Sequence, residues 1–195
     1  EMKAGKVQVS LDTFNSDIIR RMLEYYPISW INDVKGALDE KILVEIAKRD
    51  CKIVVMHSLS VPVQKGRYLS DDKPVEDYID EWVKHTTNRL KKCGFKQDSI
   101  IIDPGIGFGK STYQNLVLIR QAKRIKSLGY PVLFGHSRKS YISAFSKTLA
   151  PERDLETIAI SDCLYESGID YLRVHNVKDH QRFFVTKQLM ERRAY

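Results

Sequence analysis

The chain has 195 residues, of which 43% are hydrophobic and 29% are charged, a balance typical of one globular domain with a core and not of a disordered segment. No apolar run approaches the roughly 20 residues that a membrane span needs, so we expect no membrane partner. The net charge of +7 indicates either general solubility or an anionic ligand; no basic stripe or recognition motif indicates nucleic-acid binding.

The cysteines and the first residues of the chain indicate its cellular compartment and its place in a longer protein. Cys51, Cys93 and Cys163 are far apart and form no CxxC pair, which predicts reduced, mostly buried thiols in a cytoplasmic protein. The first residues lack the apolar region of a signal peptide and do not begin with methionine. We therefore expect a single domain over residues 1–195 that begins partway through a longer protein.

Short apolar runs alternate with amphipathic segments along the whole chain, which predicts βαβ units and a parallel sheet. Continuous runs such as residues 53–55 and 100–102 are typical of strands covered on both faces. The six predicted strands, in chain order, are Val7–Leu11, Ser29–Ile31, Lys52–Val55, Ser99–Ile102, Pro131–Phe134 and Tyr171–Val174.

Helices are predicted between these strands. Asn15 or Ser16 could cap the first helix, and Pro74 suits the first turn of the third. The stretch Leu59–Lys73 is predicted as a loop, either an active-site cover or a mobile insertion. The predicted helices run from the cap to before residue 27, 38–49, 75–94, 113–128, a short one after 139, 152–166, and from about 179.

Polar residues follow each predicted strand. In a parallel β/α barrel all strand carboxyl ends open on the face that carries the site, whereas an open doubly wound sheet binds ligands at a switch point. The regular repeat favours a TIM (β/α)8 barrel with about six of its eight units in this chain. The clusters are Asp12-Thr13, Asn32-Asp33, Met56-His57-Ser58, Asp103-Pro104-Gly105, residues 135–140 and His175-Asn176.

Each cluster also has a structural interpretation. Asp12 could cap the next helix, Asn32 could be a turn residue, Met56 could belong to the core, and His57 could be a hydrogen-bonded structural histidine. Arg173 is the stronger indication, because an unpaired guanidinium inside an apolar strand would be costly to bury. Arg173 therefore predicts a partner or a ligand.

The glycine-rich segment 105–111 could be taken for a nucleotide-binding loop, but it departs from both known patterns. Pro104 stands where a P-loop needs glycine, and Lys110 stands where a dinucleotide fingerprint needs glycine. The glycines could instead let the backbone approach a flat ligand, with Phe108 supplying a face to pack on. The sequence has neither an HExxH metal motif nor a Gly-x-Ser-x-Gly nucleophile elbow.

Three segments carry a family resemblance. Residues 103–110, DPGIGFGK, resemble the DPGxGFGK segment of dihydropteroate synthases; residues 135–140, GHSRKS, resemble their G-x-SRKS segment; residues 173–177, RVHNV, are similar to their RVH(D/N)V strand. Asp12-Thr13 and residues 31–34 match two earlier strand ends. The resemblance covers nearly all of the chain, and it implies a barrel that begins at the family's third strand.

The resemblance implies a reaction in folate biosynthesis. The amine of p-aminobenzoate replaces the pyrophosphate of a 7,8-dihydropterin carrying 6-hydroxymethyl pyrophosphate. The family's Mg²⁺ ligand and its Thr-Arg-Pro loop belong to the two strands that precede this sequence, so no metal ligand is expected in this chain. Two departures are His136, where the family often has methionine, and the segment after His57, which lacks Met-Gln-Gly.

The resemblance also implies residue roles. Lys139, Arg173 and His175 would be catalytic, and Arg173 and His175 would bind pyrophosphate. The p-aminobenzoate pocket would be formed by Phe108, Gly107, Ser137 and Lys139. The pterin-binding set would be Asp12, Asn32, Met56, Asp103, Lys139 and Arg173.

Two alternatives remain open from the sequence. The first is a pterin-binding fragment without catalysis, and the second is a methyltransferase on a pterin barrel, which would lack the SRKS segment. The family resemblance further implies a homodimer, sulfonamides as competitors of p-aminobenzoate, and in some proteins fusion to a pterin pyrophosphokinase domain.

Overall fold

The computed structural model describes residues 7–191, and all the strands that it contains run parallel. β1 (Val9–Asp12), β2 (Ile28–Asp33), β3 (Lys52–Met56) and β4 (Ile100–Asp103) form one sheet in chain order, and β5 (Leu133–Phe134) pairs with β6 (Tyr171–Leu172). A bridge between Ile102 and Val132 continues this order from β4 to β5. The predicted α/β class with a parallel sheet is therefore confirmed.

The helices lie between the strands, as predicted. Asn15 caps the first by accepting hydrogen bonds from two backbone N–H groups, and Asp39 caps the second. The helices are α1 (Ser16–Tyr25), α2 (Glu40–Ala47), α3 (Val75–Lys92), α4 (Thr112–Arg120), α5 (Ala122–Lys126), α6 (Asp154–Glu166) and α7 (Val177–Glu191).

Several predicted boundaries were wrong. The helix predicted over residues 113–128 is broken at Gln121, whose backbone leaves the helical region, so that α4 and α5 are separate. The short helix after Lys139 is a 3-10 helix, Ser140–Ala144. Arg173 lies beyond β6 and not within it, although its N–H still donates to the Phe134 carbonyl oxygen at 3.0 Å.

Strand alternation sorts the side chains onto two faces. On one face Trp30, Asn32, Val54, Tyr171 and Arg173 line a common cavity. The rings of Trp30 and Tyr171 meet edge to face with centroids 4.8 Å apart, so the sheet curves enough to bring β2 and β6 together. Within residues 7–191, β1 and β6 are edge strands that do not pair with each other.

The opposite face carries the hydrophobic core between sheet and helices. Ile31, Ile53 and Ile100 are completely buried there, in one cluster with apolar residues of α2 and α3 such as Ile42 and Ile79. Burying a side chain of this size contributes roughly 1.5–3 kcal/mol. This core makes the strands a rigid base for the loops that follow them.

Among the helices described for residues 7–191, none is long and apolar enough to cross a membrane. The prediction of one domain over residues 1–195 includes residues 1–6 and 192–195, which lie outside the described part, and it stays a prediction.

Candidate functional site

The carboxyl ends of the strands bring together polar residues from both ends of the chain. The Asn32 amide donates to Asp12 Oδ2 at 3.1 Å. The Arg173 guanidinium lies between two carboxylates, 3.5 Å from Asp12 and 3.6 Å from Asp103. Arg173 thus has the partners that the sequence predicted it would need, and the strand ends converge as expected.

Two buried oxygen acceptors point into this site without receiving a hydrogen bond from residues 7–191. Asp103 is 1% exposed; its Oδ1 accepts the Gly105 N–H at 2.8 Å, while Oδ2 receives no hydrogen bond from residues 7–191. Asn32, 6% exposed, leaves its Oδ1 equally unpaired. Buried polar atoms are almost always hydrogen-bonded, so this pair indicates a ligand with N–H donors.

Burial also acts on the charge of the site. It raises the pKa of the Asp103 carboxyl, and the nearby Arg173 guanidinium and the Lys139 ammonium act in the opposite direction. An uncharged ligand with N–H donors would therefore meet a carboxylate whose negative charge its protein neighbours neutralise only in part. Hydrogen bonds to such a charged oxygen are stronger than those to a neutral one.

Lys139 and the glycine-rich loop form a second wall. The Lys139 ammonium lies 4.2 Å from the centre of the Phe108 ring, a cation–π contact. A Cβ atom on Gly107 would come within 3.3 Å of the Lys139 side chain, so glycine permits this close approach. Burial lowers the pKa of Lys139, while Asp103 raises it.

Ser137 and His175 meet at a third position. The Ser137 hydroxyl oxygen accepts the backbone N–H of His175 at 3.3 Å and lies 2.8 Å from its Nδ1. The hydroxyl proton is then free to point at Nδ1, which leaves the imidazole proton on Nε2. A cavity of about 630 Å³ beside them is lined by Lys139 and Arg173 as well.

Gly135 provides the space for the Arg173 side chain. A Cβ atom at this position would lie 2.8 Å from Arg173 Nη2. Met56 pairs in register with Asp103 and is 1% exposed, on the same face of β3 as Val54. Its role as a pterin contact stays a prediction.

Sequence reasoning missed the structural importance of Lys110. Its ammonium donates to the carbonyl oxygens of His57, Gly105 and Phe108 at 3.0–3.2 Å and lies 3.0 Å from His57 Nδ1. Burial lowers its pKa to about 7. Burial of the His57 ring and the nearby charge of Lys110 lower the pKa of His57 to about 3. His57 is thus a structural histidine that anchors the glycine-rich loop.

The stretch Leu59–Lys73 contains no helix or strand, as predicted. It packs on the glycine-rich loop, since the Leu69 N–H donates to the Gly109 carbonyl oxygen at 2.9 Å and Gln114 donates to the Leu69 carbonyl oxygen at 3.0 Å. Leu59 lies where a Cβ atom on Gly109 would be, 2.6 Å away. These contacts attach the segment to the rest of the domain, and its role as an active-site cover stays a prediction.

We expect Gly105→Ala to destabilise the protein far more than Gly66→Ala. Both glycines have a left-handed φ, 71° and 78°, which disfavours alanine by about 1–2 kcal/mol. Only at position 105 would the Cβ atom also collide, 1.9 Å from the His57 carbonyl oxygen; nothing lies within 4 Å at position 66. Urea unfolding of both variants measures the difference, and equal losses would contradict this account.

His136 lies outside the site and is completely buried between β5 and α6. Its Nε2 is 2.8 Å from the Ser161 hydroxyl oxygen, whose other contact is His180 at 3.0 Å. Burial lowers the pKa of His136 to about 4. The departure from methionine that the sequence shows therefore affects packing and not the ligand surface.

We expect His136→Met to make the protein less sensitive to acid. The pKa of His136 is lower in the fold than the ordinary 6.5, so its contribution to stability is present above that value and is lost as pH falls toward 4. Between neutral pH and pH 5 the wild type should lose about 2 kcal/mol of unfolding free energy from this group. Denaturant unfolding at both pH values tests this, and an equal loss in the variant would refute it.

Within residues 7–191, no group of three or more His, Cys, Asp or Glu side chains is placed to hold a metal ion. The Asp12 carboxylate is instead committed to Asn32 and Arg173. The described residues therefore do not fit a magnesium site on their own.

Comparison with known proteins identifies the family. Residues 1–175 match the model of the family described as pterin binding enzyme. The chain is 32% identical over 189 residues to the dihydropteroate synthase of Clostridium beijerinckii, covering 96% of this chain and 67% of that protein. It is 41% identical over 186 residues to the folate synthesis bifunctional protein of Chlamydia caviae.

The fold matches as well. The crystal structure of dihydropteroate synthase from Anaplasma phagocytophilum with bound 6-hydroxymethylpterin-monophosphate superposes with a TM-score of 0.86 at 33% identity, covering 94% of this chain and 72% of that chain. The sequence match to the folate synthesis bifunctional protein of Chlamydia caviae covers 93% of this chain but only 41% of the length of that protein. On these matches and on the converging strand ends, the chain belongs to the pterin-binding enzyme family.

Proposed function

We propose that the chain carries the pterin and p-aminobenzoate sites of a dihydropteroate synthase. The observation that carries the proposal is the pair of buried acceptors that receive no hydrogen bond from the described residues, Asp103 Oδ2 and Asn32 Oδ1. The pyrimidine edge of a pterin presents adjacent N–H donors, which match a carboxylate oxygen and an amide oxygen side by side. A relative with 6-hydroxymethylpterin-monophosphate bound has the same fold.

The remaining residues suit the other parts of the substrate. Arg173 and His175 offer a guanidinium and an Nε2–H for the leaving pyrophosphate, and the Arg173 plane also suits stacking on the pterin ring. Lys139 and Phe108, with Ser137 and Gly107, would frame p-aminobenzoate. Asp12, through its hydrogen bond with Asn32, would complete the pterin contacts.

In the reaction the bond between the pterin methylene carbon and the pyrophosphate oxygen breaks, and the amine nitrogen of p-aminobenzoate bonds to that carbon. The bonding electrons leave with pyrophosphate, and the amine loses one proton. The electron-rich dihydropterin stabilises the cationic methylene. The protein residues therefore position the two substrates and neutralise the leaving-group charge, without a covalent nucleophile.

The proposal includes closure of an eight-unit barrel. β1 and β6 are unpaired edges in the described part of the chain, and two further β/α units between them would complete the barrel of the resemblance. Mg²⁺ would be held by residues outside those described. A homodimer, sulfonamide competition and a cytoplasmic location remain further expectations of the resemblance.

The unpaired edges also favour a second candidate, a chain that binds pterin without turnover. Incubation with dihydropterin pyrophosphate and p-aminobenzoate distinguishes the two when dihydropteroate and pyrophosphate are measured by chromatography. Equal amounts of both products would support the synthase. Calorimetric binding of 6-hydroxymethylpterin without products would support the second candidate, and neither binding nor products would overturn both.

A further inference from the structure

The residue between two proposed site residues has an unfavourable backbone conformation. Arg138 adopts a left-handed φ of 57°, a region that a side chain with a Cβ atom rarely occupies. It separates Ser137 and Lys139, so its backbone sets the directions of both side chains. Something outside the loop must therefore hold it in place.

The first turns of α6 supply these contacts. Asp154 accepts two hydrogen bonds from the Arg138 guanidinium, at 2.7 and 2.8 Å. The Thr157 hydroxyl accepts the Arg138 N–H at 3.2 Å, and Arg153 donates to the carbonyl oxygens of Arg138 and Lys139 at 3.3 and 3.1 Å. We call Arg153, Asp154 and Thr157 the α6 clamp.

The clamp also reaches the loop after β6. Asp154 Oδ2 accepts a third hydrogen bond from the Asn176 side chain at 2.9 Å. Asn176 directly follows His175, which itself contacts Ser137. One carboxylate therefore connects the loop that carries Ser137 and Lys139 with the loop that carries Arg173 and His175.

We propose that Asp154 is a positioning residue for the reaction: it fixes the β5 and β6 loops relative to each other, so that Lys139 and His175 face the same substrate pair. Asp154 makes no hydrogen bond to the pterin acceptors Asn32 and Asp103 within residues 7–191, so pterin affinity should change much less than turnover. The effect on turnover rests on the proposed function, whereas the effect on the two loops does not.

Asp154→Ala tests the proposal, with Asp162→Ala as the matched control. Asp162 lies on the same helix and pairs with Lys187 at 2.6 Å, and within residues 7–191 its side chain makes no hydrogen bond or salt bridge to either loop. We expect kcat to fall about tenfold or more in Asp154→Ala, because small misplacements of reacting groups slow catalysis strongly. The affinity for 6-hydroxymethylpterin should stay within about threefold of wild type, and Asp154→Glu should recover part of the rate.

Hydrogen exchange supplies a readout independent of activity. In Asp154→Ala the peptides covering residues 135–145 and 173–178 should exchange faster, while Asp162→Ala should match the wild type there. The double variant Arg138→Ala with Asp154→Ala should turn over no more slowly than Asp154→Ala alone, because both substitutions break the same ion pair between Arg138 and Asp154.

The outcomes are distinct. Unchanged exchange and unchanged kcat in Asp154→Ala would overturn the positioning role, as would an equal loss of pterin affinity and turnover, which would indicate general unfolding. If the wild type makes no product, the proposed function fails. The exchange comparison then decides whether the clamp orders the two loops.

Discussion

Asp103→Asn is expected to abolish measurable pterin binding while leaving the fold at least as stable as in the wild type. Asparagine keeps the volume and an oxygen for the Gly105 N–H, but it replaces Oδ2, the acceptor that receives no hydrogen bond from the described residues, by a donor. Two hydrogen bonds to a charged acceptor contribute about 3–6 kcal/mol, so the affinity should fall at least about 100-fold. Stability should not fall, because burial raises the pKa of Asp103 and disfavours its charge in the fold.

Asp33→Asn is the matched control, with the opposite expectation. Asp33 is a buried carboxylate at the end of β2, directly after Asn32. Its oxygens accept the backbone N–H groups of Lys35, Gly36 and Leu38 at 2.9–3.2 Å. The asparagine should leave one of these donors unpaired and cost about 1–3 kcal/mol of stability. Pterin affinity should be unchanged.

Calorimetric titration with 6-hydroxymethylpterin and urea unfolding of both variants give the four values needed. Loss of binding in Asp103→Asn with loss of stability in Asp33→Asn supports the assignment. Normal pterin affinity in Asp103→Asn would remove the observation on which the proposed function rests.

Lys139→Met should reduce dihydropteroate formation by at least about 100-fold, because the ammonium lies 4.2 Å from the centre of the Phe108 ring in the proposed p-aminobenzoate pocket, and electrostatic contacts of this kind are worth that much in turnover. Methionine retains the apolar stem that packs against Gly107, so the loop should keep its conformation. Single-turnover product formation measures the effect, with pterin binding measured in parallel.

Lys52→Met is the control for the loss of a lysine near aromatic rings. Its ammonium lies 5.3 Å from the Trp30 ring and 5.9 Å from the Tyr171 ring, at the opposite end of the strands. We expect near-normal turnover in this variant. Near-normal turnover in Lys139→Met would refute the role of Lys139.

The charge of Lys139 also gives a pH dependence. Burial lowers its pKa from the ordinary 10.5, so the ammonium is present at low pH and is lost as pH rises through the lowered value. Turnover that needs the ammonium should therefore decline at a lower alkaline pH than an ordinary lysine would produce. Lys139→Arg should shift that decline to higher pH.

The sequence by itself determined the order of the elements. Short apolar runs and caps such as Asn15 depend on neighbours a few residues away, so the α/β class and the six strands could be predicted. The motifs also placed Asp103 and Lys139 after strands, whereas Arg173 was predicted inside a strand and lies just beyond β6. Barrel closure could not be obtained this way, because the pairing of β1 and β6 with anything else is not local.

The choice between adjacent polar residues needed the tertiary structure. Asn32 and Asp33 are both buried, and only the direction of β2 shows that Asn32 faces the site while Asp33 caps the turn behind it. Burial of a whole strand removes the alternation that would have indicated its inner face.

What the tertiary structure alone decided are contacts between groups far apart in sequence. Lys110 holds the glycine-rich loop through His57, Arg173 lies between Asp12 and Asp103, and Asp154 joins the two loops that carry Lys139 and His175. Charged and polar side chains show no periodic pattern that identifies their partners. Their partners are set by how the core orients the strands and by the cost of leaving a buried charge alone.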